Sequence, residues 1–133
     1  MAGVIHREQL LGVDVDEAWR FFSDPTNLAR ITPPDMRFRI VSGAETGDIV
    51  DGQIIEYRLR PLLHLPARWV TRIEEVRPPE RFVDVQIAGP YRLWRHRHDF
   101  LERPGGVLMI DHVDYAAPLG PLGRLLDRLV IRR

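Results

Sequence analysis

Apolar and polar residues alternate with period two through most of this chain, and shift to a helical spacing near its two ends. Val4 to Leu11 predicts a first strand. Asp14-Val15-Asp16-Glu17 then predicts a helix start, with Asp14 as cap and Glu17 three residues on. Val15, Trp19 and Phe22 form one apolar stripe on that helix, which ends at Asp24-Pro25. A second short helix is expected over Thr26 to Ile31, stopped by Pro33-Pro34. Strands are expected near 36–42, 52–60, 67–76, 81–88, 91–102 and 106–116, separated by short Gly- and Pro-bearing turns. Leu122, Leu125, Leu126, Leu129 and Val130 mark a final amphipathic helix from Leu119 onward. The order is one strand, two helices, six strands and one helix. Connections this short make the six-stranded part antiparallel.

Pairing these strands across their turns sorts the side chains into two faces. Ile73 falls opposite Asp84 and Thr71 opposite Gln86; Gln86, Asp84 and Phe82 fall opposite Trp94, His96 and His98; those three in turn face Tyr115, Val113 and Asp111. One face then carries Ile55, Tyr57, Leu59, Trp69, Thr71, Ile73, Phe82, Asp84, Gln86, Trp94, His96, His98, Phe100, Met109, Asp111, Val113 and Tyr115. The other carries Glu56, Arg58, Arg60, Arg68, Arg72, Glu74, Arg95, Arg97, Asp99, His112 and Asp114, a lattice of mixed charge facing water.

The first face is aromatic and aliphatic around a polar centre. A dry core does not bury Asp84, Gln86, His96, His98 and Asp111 together without a reason, because each needs a partner or water. An apolar cavity with a few convergent polar groups is the ordinary make-up of a small-molecule site. The bland alternative is a self-satisfied network, with Asp84 paired to His96 and Asp111 to His98. A His–Asp pair also suits acid–base chemistry near neutral pH, which makes His96, His98 and Asp111 the catalytic candidates. His96-x-His98 with Asp111 opposite has the composition of a two-histidine, one-carboxylate metal triad, but its side chains would have to converge on one point, and no metal is expected. Trp19, Phe21 and Phe22 are expected to be core. Leu62-Leu63-His64-Leu65 is an apolar tip, suited to a cavity lid, a partner contact or simple packing on the sheet.

Composition narrows the classes. The 133 residues suit one domain, spanning 1–133, and 44% of them are hydrophobic, enough for a real core. Nineteen basic residues, all arginine, balance 19 acidic ones, so nothing marks a nucleic-acid binder. The chain has no cysteine and no lysine, which excludes thiolate, zinc-thiolate and Schiff-base chemistry. Its serines, Ser23 and Ser42, stand at element ends outside any G-x-S-x-G turn, and no phosphate-binding glycine motif is present. No apolar run approaches the roughly 20 residues of a membrane span, and no signal core opens the chain, so a cytoplasmic protein is the expectation.

The order of elements and several motifs resemble the START-like, or SRPBCC, superfamily. The resemblance is carried by Val15-Asp16-Glu17-Ala18-Trp19-Arg20-Phe21-Phe22, by Thr32-Pro33, by Gly52-x-x-Ile55-x-Tyr57, by Pro66-x-x-Trp69-x-Thr71-x-Ile73 and by Phe82-Val83-Asp84-Val85-Gln86. It is strongest in Gly89-Pro90-Tyr91-x-x-Trp94-x-His96-x-His98-x-Phe100 and Asp111-x-Val113-x-Tyr115-x-x-Pro118. It implies an α+β helix-grip fold. In that fold a curved seven-stranded antiparallel sheet has two short helices after strand one and a C-terminal helix packed over it. It also implies a ligand-binding protein, taking a small hydrophobic, lipid-like or polyketide-like molecule between sheet and helix without a cofactor. The binding residues would be Tyr57, Trp69, Thr71, Phe82, Asp84, Gln86, Trp94, His96, His98, Phe100, Asp111 and Tyr115. Similar proteins also include polyketide cyclase/dehydratase-like enzymes and cell-division regulatory modules, the two alternative functions. A final helix as short as this one would leave a cavity mouth open, or an apolar edge for a homodimer.

Overall fold

The structure, a computed structural model, describes residues 2–31, 37–45, 47–62 and 65–117. The expected C-terminal helix, the Thr32-Pro33 pair, and Leu63 and His64 of the apolar tip lie outside the described residues. The elements are β1 (Ala2–Leu11), α1 (Val15–Phe22), α2 (Pro25–Ile31), β2 (Arg39–Ser42), β3 (Ile54–Leu62), β4 (Leu65–Arg77), β5 (Arg81–Ala88), β6 (Leu93–Arg103) and β7 (Gly106–Ala116). The strands form one antiparallel sheet in the order β1-β7-β6-β5-β4-β3-β2. This is the expected α+β architecture. Among the described residues no helix is long and apolar enough to cross a membrane.

Local chemistry sets the two helices. The Glu17 backbone N–H donates to Asp14 Oδ1 at 2.7 Å, so Asp14 caps α1 as its position predicts. Asp24 repeats the device for α2, accepting from the Thr26 backbone N–H at 2.9 Å, with Pro25 at the first helical position. The two helices are thus separated by a sharp corner at Ser23-Asp24.

Ladder registers agree with the pairings read from the turns. Asp84 lies opposite His96, Phe82 opposite His98, and His98 opposite Asp111. The β5–β6 ladder stops at Val85–Arg95, one pair short of the expected Gln86–Trp94 match. Two shifts interrupt the β4–β5 ladder, one of them between Glu74 and Arg77, where Glu75 has φ of 49°. The bulge turns Glu75 toward Arg95, 2.6 Å away.

The inner face packs in two clusters. In the first, Ala18, Trp19 and Phe22 of α1 sit on Phe82, Phe100, Val107 and Met109. Trp19 meets both Phe82 and Phe100 edge-on, at 5.6 and 5.7 Å. Ile49, from the acidic segment between β2 and β3, reaches the same cluster and is buried. The second cluster joins Tyr91 and Ala117 to Trp69, Trp94 and Tyr115 at the other end of the sheet. The outer face carries the expected ion pairs, but Asp99 is only 7% exposed, held by Arg81 at 2.6 Å and Arg97 at 2.8 Å. Val83, fully buried on that face, lies between Glu74 and Arg97 in register.

Candidate functional site

Strand β6 presents Trp94, His96, His98 and Phe100 in sequence along the inner face, with period two. Phe100 belongs to the first apolar cluster and Trp94 to the second. His96 and His98 therefore stand between the two clusters, over the middle of the sheet. A cavity of about 510 Å³ opens there. Its described walls come from four sources, one of them Phe38 and Ile49 on either side of β2. The sheet supplies Tyr57, Leu59, Trp69, Thr71, Ile73, Phe82, Trp94, Met109 and Val113 together with Asp84, His96, His98 and Asp111. The α1–α2 corner supplies Phe21, Phe22, Ser23, Asp24, Pro25, Asn27 and Leu28. Edge strand β1 adds Ile5 and Arg7.

The four ionisable residues at its floor form a ring of contacts. His98 Nε2–H donates to Asp84 Oδ2 at 2.6 Å, and His96 Nε2–H donates to Asp111 Oδ1 at 2.9 Å. His98 Nδ1 stands 3.5 Å from Asp111 Oδ1, and His96 Nδ1 stands 4.0 Å from Asp84 Oδ2. The short bonds are thus diagonal, Asp84 to His98 and Asp111 to His96, where the bland sequence alternative expects the directly opposite partners. Ring geometry explains the exchange. Directly opposite Cβ atoms lie about 5 Å apart and diagonal ones about 7–8 Å. The shorter spacing brings only Nδ1 near a carboxylate; the longer one suits the far nitrogen, Nε2.

Both imidazoles are also packed flat. His96 and His98 stack with ring centroids 3.7 Å apart, and Phe82 lies against the other side of His98 at 4.1 Å. Burial alone would lower the His98 pKa, but the contacts and charges of Asp111 and Asp84 outweigh it and raise it from 6.5 to about 9. Asp84 moves the other way: burial would raise it, while the His98 bond and the neighbouring imidazoles hold it below its ordinary value. Asp111 is lowered for the same reason, against its own burial, by the bonds from His96 and His98. Burial and the nearby Asp84 charge push the Tyr57 hydroxyl up, so it stays protonated and able to donate.

Asp84, His96 and His98 bring a carboxylate oxygen and two ring nitrogens within 4.8 Å of one another, the donor set of a transition-metal site. The bonding argues for a different use. Each Nε2 is turned to a carboxylate, and the stacked rings send their in-plane lone pairs side by side rather than to one point.

Of the residues singled out in the sequence, Tyr57, Trp69, Thr71, Phe82, Asp84, Trp94, His96, His98 and Asp111 line the cavity. Three lie outside it. The Gln86 amide is spent on the backbone of Tyr91, donating to its carbonyl at 2.6 Å and accepting from its N–H at 3.2 Å. That bonding fills the space beside Gly89, where a Cβ would collide with the Gln86 carboxamide oxygen. Phe100 is 1% exposed beneath Trp19 and Phe22, and Tyr115 packs edge-on to Tyr91. Conversely, Phe21 and Phe22 line the cavity although the sequence reading placed them in the core, and the corner residues Asn27 and Leu28 carried no signal at all. Only the capped corner that follows α1 could have pointed to them.

No protein-family model matches the chain, and no curated protein sequence matches it. Solved structures do. A Chromobacterium violaceum protein superposes with a TM-score of 0.72 at 14% identity, over 97% of this chain and 92% of that one. A START superfamily protein from Mycobacterium smegmatis gives 0.69 at 12% identity, over 97% and 87%. Ara h 8.0201 gives 0.71 at 13% identity, over 99% and 90%. At these identities the likeness speaks for architecture alone. The seven-stranded antiparallel sheet, the paired helices after its first strand and these superpositions together establish that the chain has the START/Bet v 1-like helix-grip fold.

Proposed function

We propose that this single domain binds a small hydrophobic or aromatic molecule in the cavity over the sheet. The observation that carries the reading is a space of about 510 Å³ whose walls are mainly aromatic and aliphatic and whose floor gathers Asp84, His96, His98 and Asp111. Trp69 and Trp94 meet edge-on at 5.3 Å and offer flat contact surface at one end; Phe82 and the His–Asp ring orient the polar part of the ligand. On this reading the protein is a cytoplasmic carrier or sensor that needs no cofactor. Titration with the uncharged fluorescent probe N-phenyl-1-naphthylamine tests it. Saturable uptake at one site per chain is expected, and Trp94→Ala should weaken it about tenfold while circular dichroism stays unchanged, as expected for removal of a large aromatic contact. Absence of uptake by the folded protein would sink the reading.

One observation favours an enzyme of the cyclase/dehydratase type as the second reading. His98 is engaged at both nitrogens, but His96 Nδ1 lies beyond hydrogen-bond reach of Asp84 and His96 lines the cavity. A neutral His96 that donates Nε2–H to Asp111 keeps Nδ1 as a proton acceptor, which is the arrangement of an oriented general base. His96→Gln would then abolish turnover of an aromatic polyketide-like substrate while leaving its binding intact. Equal loss of binding and turnover would return His96 to a ligand-orienting role.

A further inference from the structure

The cavity floor is rich in acceptors and poor in donors. Within the ring, Asp84 uses Oδ2 and Asp111 uses Oδ1 for both imidazoles. The second oxygen of each carboxylate, Asp84 Oδ1 and Asp111 Oδ2, takes no hydrogen bond from any described residue. Neither atom is sealed from solvent-sized space, and both residues line the cavity. The ring's protons point at its own carboxylates, not at the void.

We propose that the ligand of this cavity carries a protonated amine on an apolar, aromatic body, and that the ammonium seats against the free oxygens of Asp84 and Asp111. The proposal rests on the cavity being a ligand site, as argued above, and names the class of molecule it selects. Among the described residues, carboxylates face the void from three sides. Asp24 at the helix corner, Asp84 on β5 and Asp111 on β7 are carboxylates, although Asp24 already accepts from Thr26. Against them stand Arg7 on β1 and the raised-pKa imidazole of His98 on β6. Tyr57 and Thr71 supply hydroxyls that serve a donor or an acceptor equally. Among the described residues a carboxylate ligand would find Arg7, which is exposed and sits opposite Asp111 in the β1–β7 ladder, and the His98 imidazole, whose ring nitrogens already face Asp84 and Asp111. An ammonium finds two carboxylate oxygens able to accept charge-assisted bonds.

A matched pair of probes decides the matter. 2-Naphthylmethylamine and 2-naphthoic acid share a ring system and differ in the sign of the head group. Each is titrated by calorimetry at pH 7.5, and each competes with N-phenyl-1-naphthylamine. The amine is expected to bind at least about tenfold more tightly than the acid. In Asp84→Asn and in Asp111→Asn the preference, read as the ratio of the two affinities within the same variant, should shrink to within about threefold. The proposal is overturned if the acid binds as well as the amine, or if neither Asn variant changes the ratio. Arg7→Gln abolishing acid binding would mark the reverse polarity and overturn it equally. If the uncharged probe is displaced by both compounds alike, only this inference fails. If no compound binds, the cavity reading fails with it.

Discussion

Replacing Asp84 with alanine will lower the folding stability by about 3 kcal/mol, toward the low end of the range for breaking a buried ion pair because the pair keeps some solvent contact. Asp84 accepts the shortest bond in the His–Asp ring, from His98 Nε2 at 2.6 Å, and stands 4.0 Å from His96. Its side chain is 21% exposed and that of His98 14% exposed, so neither is fully screened by water. Without Asp84 the His98 imidazole stays pressed against Phe82 and His96 with only the longer contact to Asp111. Holding it charged there is costly, and holding it neutral forfeits the pairing. Asp84→Asn keeps an oxygen for the Nε2 proton and should lose about half as much. Urea unfolding reads both variants as a shift in midpoint at constant slope. A loss below about 1 kcal/mol in Asp84→Ala would mean that the ring contributes little to stability and that its residues are there for the cavity alone.

The second large effect is on pH dependence. His98 has a folded pKa above its unfolded one, about 9 against 6.5. Its stabilisation is therefore complete below about pH 6.5 and is lost as the pH climbs toward 9. Asp84 and Asp111 are held below the ordinary carboxylate value of 3.8, so their contribution is present above about pH 4 and is lost as the pH falls below it. The ring should thus give a stability plateau between about pH 4 and 6.5 and a decline of about 3 kcal/mol from there to pH 9. Chemical denaturation at intervals across that range measures it. His98→Gln should flatten the alkaline limb. A wild-type profile that is level from pH 6.5 to 9, or one that still falls in His98→Gln, would show that the ring does not hold its proton as described.

Much of this arrangement was legible in the residues because a strand has period two and the hairpins are short. Once Pro78-Pro79, Gly89-Pro90 and Pro104-Gly105-Gly106 are taken as turns, the opposition of Asp84 to His96 and of His98 to Asp111 follows, and with it the face. Parity says which way a side chain points and nothing about what lies above it. Phe100 and Tyr115 point inward like His98, yet one is covered by α1 and the other packs on Tyr91. Gln86 has the right parity too, but its amide serves the Tyr91 backbone. Pairing within the ring was misread because the opposite strand position is the natural first guess, whereas imidazole length decides which carboxylate each Nε2 reaches. The α1–α2 corner and Ile49 contribute through long-range packing, which leaves no period in a single sequence.

The hollow has two kinds of wall, and they differ in how freely they can change. Its ionisable floor is delivered by neighbouring ladder positions on β5, β6 and β7, each tied to strands on both sides, so one altered residue disturbs the proton arrangement of all four. Its opposite rim, Phe21, Phe22 and Leu28, hangs on a corner between two short helices. On the proposed reading, a ligand with a bulkier body can be accommodated by substitutions at that corner, while the ionisable floor that meets its polar end is left as it is.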